Sequence, residues 1–237
     1  MKKLMLIMVV VCLMLAGCST SDKNIAADTK QPESSNVEAG NNEQGAFGNA
    51  EQEEPAVVVQ PLPDATMENL SDAILSVSLE EGGAYVDDTG KMQMNVKVFT
   101  YDRYDMVDIS VLKVGDTIVT HAGEVEVTAM ERSDSGIIYI NGGLEEGGFD
   151  LVADESGIFY EVGFNDAKNW YEVGEATIRV SADFKGYDNS NLEQGEVMIY
   201  PGDFLVDGIA DYNFTPYNTT IRVEGGQIVE LNRVYTP

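Results

Sequence analysis

The chain has 237 residues, with 41 Asp plus Glu against 14 Lys plus Arg, one His and two Cys, and 43% of its side chains are apolar. A net charge of −27 opposes contact with a phosphate backbone, which depends on Lys and Arg displacing counterions, so nucleic acid is excluded as a partner. One His and two Cys are too few for a zinc finger or an iron–sulfur cluster, and this composition argues against transition-metal chemistry.

The N-terminus carries Lys2 and Lys3, an uninterrupted apolar run from Leu4 to Leu15, and then Ala16-Gly17-Cys18. The run is too short for a membrane-spanning helix, which needs ~20 residues, so residues 1–17 read as a signal peptide. Leu15-Ala16-Gly17-Cys18 resembles the lipobox of bacterial lipoproteins. The resemblance implies cleavage before Cys18, acylation of its thiol, and a protein of the cell envelope held by lipid on the extracytoplasmic face of a membrane. With an ordinary signal peptide instead, the protein would be free outside the cell. On the lipoprotein reading Cys12 leaves with the signal and Cys18 becomes the anchor, so no disulfide is available. Loss of Lys2 and Lys3 makes the mature chain more acidic still, which opposes contact with anionic lipid.

Residues 18–63 are rich in Ser, Asn, Gln, Glu, Ala and Pro, with Phe47 as their only aromatic side chain. Such a segment cannot bury enough apolar surface to offset the entropy of ordering, so it reads as a disordered tether. Val57-Val58-Val59 is its one apolar triplet and a candidate start of order. Residues 64–237 then read as a single all-β domain.

Strands are expected at 73–79 and 94–101, where β-branched and aromatic residues alternate with polar ones. From Thr117 onward a meander of hairpins is expected, with strands at 125–130, 137–140, 149–152 and 158–162 separated by Gly-containing turns. Further strands are expected at 177–181, 197–200 and 204–206. The clearest hairpin joins 220–224 to 227–231 through Gly225-Gly226. Helix is confined to a turn or two at 65–71 and 106–112. The expected fold is an antiparallel sandwich or small barrel. Leu112-Lys113-Val114-Gly115-Asp116-Thr117-Ile118 resembles the entry into small barrels of some OB-like and SH3-like modules. The domain as a whole resembles uncharacterised secreted lipoproteins that end in a Gly-turn hairpin, a likeness that implies no activity.

Catalytic motifs are scarce. His121 is the only candidate proton carrier for a Ser–His–acid triad; it falls in a predicted surface turn, where it is expected to be dispensable, and no Gly-x-Ser-x-Gly elbow accompanies it. No phosphate loop is present. Phe159, Tyr160, Phe164, Trp170 and Tyr171 are either core residues or a platform on which sugar faces pack. Two stretches without Lys or Arg, 133–167 and 186–221, carry the acidic candidates Glu145, Glu146, Asp150, Asp154, Asp203, Asp207 and Asp211. On one face they would suit a basic partner or Ca²⁺, which takes six to eight oxygens; scattered, they are a solubilising surface. No EF-hand loop is present, so a Ca²⁺ site would have to be assembled from separate loops. The composition thus leads to a non-enzymatic binding or scaffolding module for a protein, glycan or cation. The alternative is a carboxylate-dependent hydrolase of envelope polysaccharide, which needs two converging acids in a cleft beside Trp170.

Overall fold

The computed structural model describes residues 55–206 and 213–236. The signal peptide, Cys18 and most of the expected tether lie outside the described residues, as do Asp207 and Asp211. In chain order the elements are β1 (Val58–Val59), β2 (Ala73–Ser78), β3 (Ala84–Val86), β4 (Met92–Thr100), β5 (Arg103–Tyr104), α1 (Met106–Val111), β6 (Thr117–Thr120), β7 (Gly123–Glu126), β8 (Met130–Arg132), β9 (Ile138–Ile140), β10 (Phe149–Ala153), β11 (Phe159–Glu161), β12 (Tyr171–Asn189), β13 (Val197–Ile199), β14 (Thr219–Glu224) and β15 (Gln227–Val234). No helix among the described residues is long and apolar enough to cross a membrane.

Five strands close on themselves. β2 pairs with β4, β4 with β12, β15 with β14 and β14 with β2, all antiparallel, while β12 and β15 run parallel. The expected all-β fold is therefore present as a closed barrel, with the connectivity of an OB-type Greek-key barrel, a topology that fixes no activity. β13 and β3 extend it at β12 and β4. The barrel closes because each strand buries every second side chain: Leu75 and Val77, Met94, Val96 and Val98, Ile178 and Val180, Ile221 and Val223, with Ile228 and Leu231 from β15. Each such side chain contributes ~1.5–3 kcal/mol on burial. The purely antiparallel expectation is corrected at β12–β15 and also at β1–β6, which is parallel.

Between β4 and β12 the chain leaves the barrel and, with Val59 of β1, builds a second core from Tyr104, Ile109, Leu112, Ile118, Val127, Ile138, Ile140, Phe149 and Leu151. A three-stranded sheet, β1-β6-β7, and a five-stranded sheet, β5-β11-β10-β9-β8, surround it. The segment 112–118 thus belongs to this inserted module and not to the barrel it was expected to enter. The strand expected at 125–130 is broken into β7 and β8. Asn141, at φ 52, accepts hydrogen bonds from the Thr128 and Ala129 amides and donates to the Glu126 carbonyl, which replaces ladder pairing there. The strand expected at 177–181 is far longer, because β12 pairs along half its length with β4 and along the other half with β15. Its charged residues hide that continuity from an apolar pattern. At 204–206 the expected strand is replaced by a 3₁₀ turn, Pro201–Leu205, in which the Asp203 carboxylate accepts the Tyr200 amide. The Gly225-Gly226 hairpin is present, with φ of 54° and 72°.

Order begins before residue 64. Val59 is buried, β1 pairs with β6, and the Leu62 amide donates to the Arg103 carbonyl at 2.6 Å. The domain boundary expected at 63/64 therefore moves to before Val57. A chain starting at Asp64 should melt lower than one starting at Gln52, since losing the burial of Val59 alone costs ~1.5–3 kcal/mol. The expected drop is about 5–10 °C for a domain of this size, measured by thermal unfolding. Equal midpoints would show that β1 adds nothing.

Candidate functional site

The chain crosses from barrel to insert at residues 101–102 and returns at 168–171, so side chains distant in sequence meet at one junction. Along these extended segments successive side chains point to opposite sides. Tyr101, Tyr160, Lys168 and Trp170 meet on one side; Asp102, Glu161, Asn169 and Tyr171 meet on the other.

On the first side the Tyr101 ring lies edge-to-face with Trp170 at 4.8 Å and with Tyr160 at 6.1 Å. Lys168 donates to the Tyr101 hydroxyl at 2.6 Å, and its Nζ sits 4.1 Å from that ring's centroid. All four are partly exposed. Tyr101 and Trp170 also line an open groove with Thr66, Ile74, Ser76, Phe99 and Arg103. Ile74 is 73% exposed there, although it is a large apolar residue on a barrel strand.

On the second side Asp102 is buried, with 4% of its side chain exposed. Its Oδ2 accepts the His121 amide at 2.6 Å and faces His121 Nδ1 at 3.2 Å; its Oδ1 accepts the Tyr171 hydroxyl at 2.9 Å. The His121 ring stacks on Tyr171, with centroids 4.2 Å apart and planes at 13°. Glu161 Oε1 accepts from Asn169 Nδ2 at 2.8 Å. Burial pushes the Glu161 carboxyl up, the charge of Asp102 adds to the push, and the Asn169 hydrogen bond and His121 oppose it. Burial, the hydrogen bond to Asp102 and the charge of that carboxylate push the Tyr171 phenol up as well, which keeps it a protonated donor. One ligand atom from each of Asp102, His121 and Glu161 lies within 4.8 Å of the other two, the arrangement of His, Cys, Asp and Glu side chains among the described residues that could hold a metal ion.

The sequence expectations divide accordingly. His121 lies in the β6–β7 turn and is exposed, as expected, but its ring also stacks on Tyr171 and faces Asp102, contacts that turn position alone does not disclose. Of the aromatic group, Tyr160 and Trp170 each pack on Tyr101, Phe159 packs against the core of the insert, and Tyr171 faces the other side. The Phe164 side chain lies outside those described. The acidic candidates serve separate local roles. Glu145 and Glu146 sit in an exposed 3₁₀ turn, and Asp150 accepts the Leu144 amide. Asp154 accepts from the amides of Ser156 and Ile158 and from the Ser156 hydroxyl, which together hold its carboxyl below the usual range. Asp203 caps a turn on the barrel. The described members form no group able to share an ion. Tyr101, Asp102, Lys168 and Asn169 were not legible as site residues. Their only trace is an aromatic-then-acidic pair that occurs at Tyr101-Asp102 and again at Tyr160-Glu161, and the polar-aromatic run Lys168-Asn169-Trp170-Tyr171, which no local period connects.

No protein-family model, curated protein or solved structure matches the chain.

Proposed function

We propose that the protein is an extracytoplasmic, lipid-anchored and non-enzymatic binding module whose ligand is a glycan of the cell envelope. The observation that carries this reading is the partly exposed Tyr101, Tyr160 and Trp170 cluster beside the groove that holds Ile74. Apolar sugar faces pack on aromatic rings, while Thr66, Ser76 and Arg103 supply the polar groups that orient hydroxyl or acidic substituents. A large exposed apolar side chain among aromatic residues fits a surface that is covered in use. Lys168 and Arg103 place positive charge beside this face on a strongly acidic chain, which favours a glycan bearing carboxylate or phosphate. The lipobox supports the anchor.

The hydrolase alternative gains one observation, the approach of Asp102 to Glu161. Against it, those carboxylates lie on the side opposite the aromatic cluster, and Asp102 is buried with both oxygens engaged. A sugar on the rings would not reach them.

The test is co-sedimentation of the protein with purified insoluble envelope polysaccharide. Trp170→Ala should weaken retention about tenfold or more, the effect of losing ~1.4 kcal/mol or more of stacking, with unchanged circular dichroism. Absence of retention by the wild type, or equal retention by the variant, overturns the reading.

A further inference from the structure

From the second side of the junction we infer a binding site for one divalent transition-metal ion of the Zn²⁺ class, held by Asp102, His121 and Glu161. It is independent of the aromatic face, and it reverses the compositional expectation that a chain with one His lacks such chemistry.

Charge is the first argument. Asp102 is buried with no Lys or Arg salt bridge among the described residues, and the basic side chain paired with it is His121. Glu161, half-buried, brings a second carboxylate to the same place. One imidazole cannot balance two carboxylates, whereas a dication does so with both ionised.

Distance is the second. Two ligand atoms each bound at ~2.0–2.1 Å to a tetrahedral ion stand roughly 3.3–3.4 Å apart. Asp102 Oδ2 and His121 Nδ1, hydrogen-bonded at 3.2 Å, are already spaced as two such ligand atoms are, and a turn of the imidazole aims its nitrogen at the ion. A carboxylate oxygen of Glu161 lies within 4.8 Å of a ligand atom of each of the other two, and Glu161 is only half-buried.

The surroundings are the third. Metal-binding carboxylates and imidazoles are usually oriented by outer hydrogen bonds and packing. Here the Tyr171 hydroxyl holds Asp102 Oδ1, Asn169 holds Glu161, and the Tyr171 ring holds the His121 ring flat against it. Three protein ligands leave a fourth position for water or a ligand's oxygen, and the partly exposed side of His121 gives solvent access. An imidazole among carboxylates selects Zn²⁺ or its neighbours over Ca²⁺, which needs six to eight oxygens that this site does not supply.

The experiment uses tag-free full chain, stripped with chelator and desalted, and titrated with Zn²⁺ against a chromogenic chelator in 0.15 M salt. Ca²⁺ and Mg²⁺ are run in parallel by thermal shift. The expected result is one Zn²⁺ per chain, a rise in melting temperature with Zn²⁺, and no comparable rise with Ca²⁺ or Mg²⁺. His121→Phe keeps the ring stacked on Tyr171 and keeps the backbone amide to Asp102, yet removes the nitrogen ligand. Glu161→Gln keeps an acceptor for Asn169 and removes the charge. Each should fold and should bind Zn²⁺ at least about tenfold more weakly, and Co²⁺ should give visible absorption in the wild type that His121→Phe lacks. No stoichiometric Zn²⁺ binding, equal binding by wild type and both variants, or an equal response to Ca²⁺ overturns the site. Loss of metal binding with glycan retention intact, or the reverse, separates this proposal from the one on the aromatic face.

Discussion

Asp102→Ala is expected to lower the stability of the metal-free protein by about 3 kcal/mol. The carboxylate accepts the His121 amide and the Tyr171 hydroxyl, and it faces the His121 ring nitrogen. Alanine leaves the amide and the hydroxyl without their acceptor, at ~1–3 kcal/mol each less what water supplies, since His121 is exposed and Tyr171 only partly buried. Relief of repulsion against Glu161 offsets part of the loss. The effect reaches beyond one turn, because Asp102 joins the β6–β7 turn of the insert to Tyr171 at the start of β12 in the barrel. Asp102→Asn should cost less, since its carbonyl oxygen keeps one of the two donors, though its amide group then meets another donor. Urea unfolding of both variants checks this. An alanine variant within 0.5 kcal/mol of wild type, the range of an ordinary exposed substitution, would show that the junction is held by something other than this carboxylate.

The barrel was legible wherever its physics is local. Alternation in β2 and β4 follows from one face pointing into a core, and the Gly225-Gly226 turn follows from backbone that glycine adopts without strain. What escaped was set by partners distant in the chain. β12 reads as a short strand because Ile178 and Val180 are its only buried apolar side chains, while Glu172, Glu175, Asp183 and Lys185 fall on its exposed positions. Its length comes from having β4 on one half and β15 on the other. The parallel direction of β12 and β15 likewise depends on the long connection between them, which carries no pattern of its own.

The candidate site shows the same division more sharply. His121 was placed in its turn correctly, and turn position alone made it look solvated. Its ring is nonetheless stacked on a tyrosine fifty residues later and faces an aspartate nineteen residues earlier, at the mouth of a different sheet. The acidic stretches drew attention by abundance, yet Asp150, Asp154 and Asp203 are spent on local amides, and Glu161 is the described member that reaches the junction. The buried carboxylate at the junction is Asp102, which stands outside both stretches and beside Arg103 in the sequence. Charge counts along a chain measure solvation; a site needs charges that converge.

Asp116→Ala is the second substitution expected to have a large effect, and it explains the Gly-Asp pair within Leu112–Ile118. Gly115 takes φ of 95°, a conformation costly for side-chain-bearing residues, and the turn this makes brings the Asp116 carboxylate back over its own loop. There Oδ2 accepts the Lys113 amide at 2.9 Å and Oδ1 accepts the Val57 amide at 2.8 Å, while Asp116 itself is fully buried. One side chain therefore closes the turn after α1 and fixes the start of β1, whose register continues as Val58 opposite Thr117. Alanine frees both amides, and the expected loss is about 2–4 kcal/mol from two unsatisfied donors, less whatever water reaches them. Because the Val57 clamp goes as well, limited proteolysis should cut near residues 55–63 faster than in the wild type, while the barrel, whose core contains none of these residues, stays resistant. Asp116→Asn should lie between the two, since its oxygen serves one amide and its NH₂ confronts the other. Wild-type stability and an unchanged cleavage pattern for the alanine variant would mean that β1 is held by Val59 in the core alone.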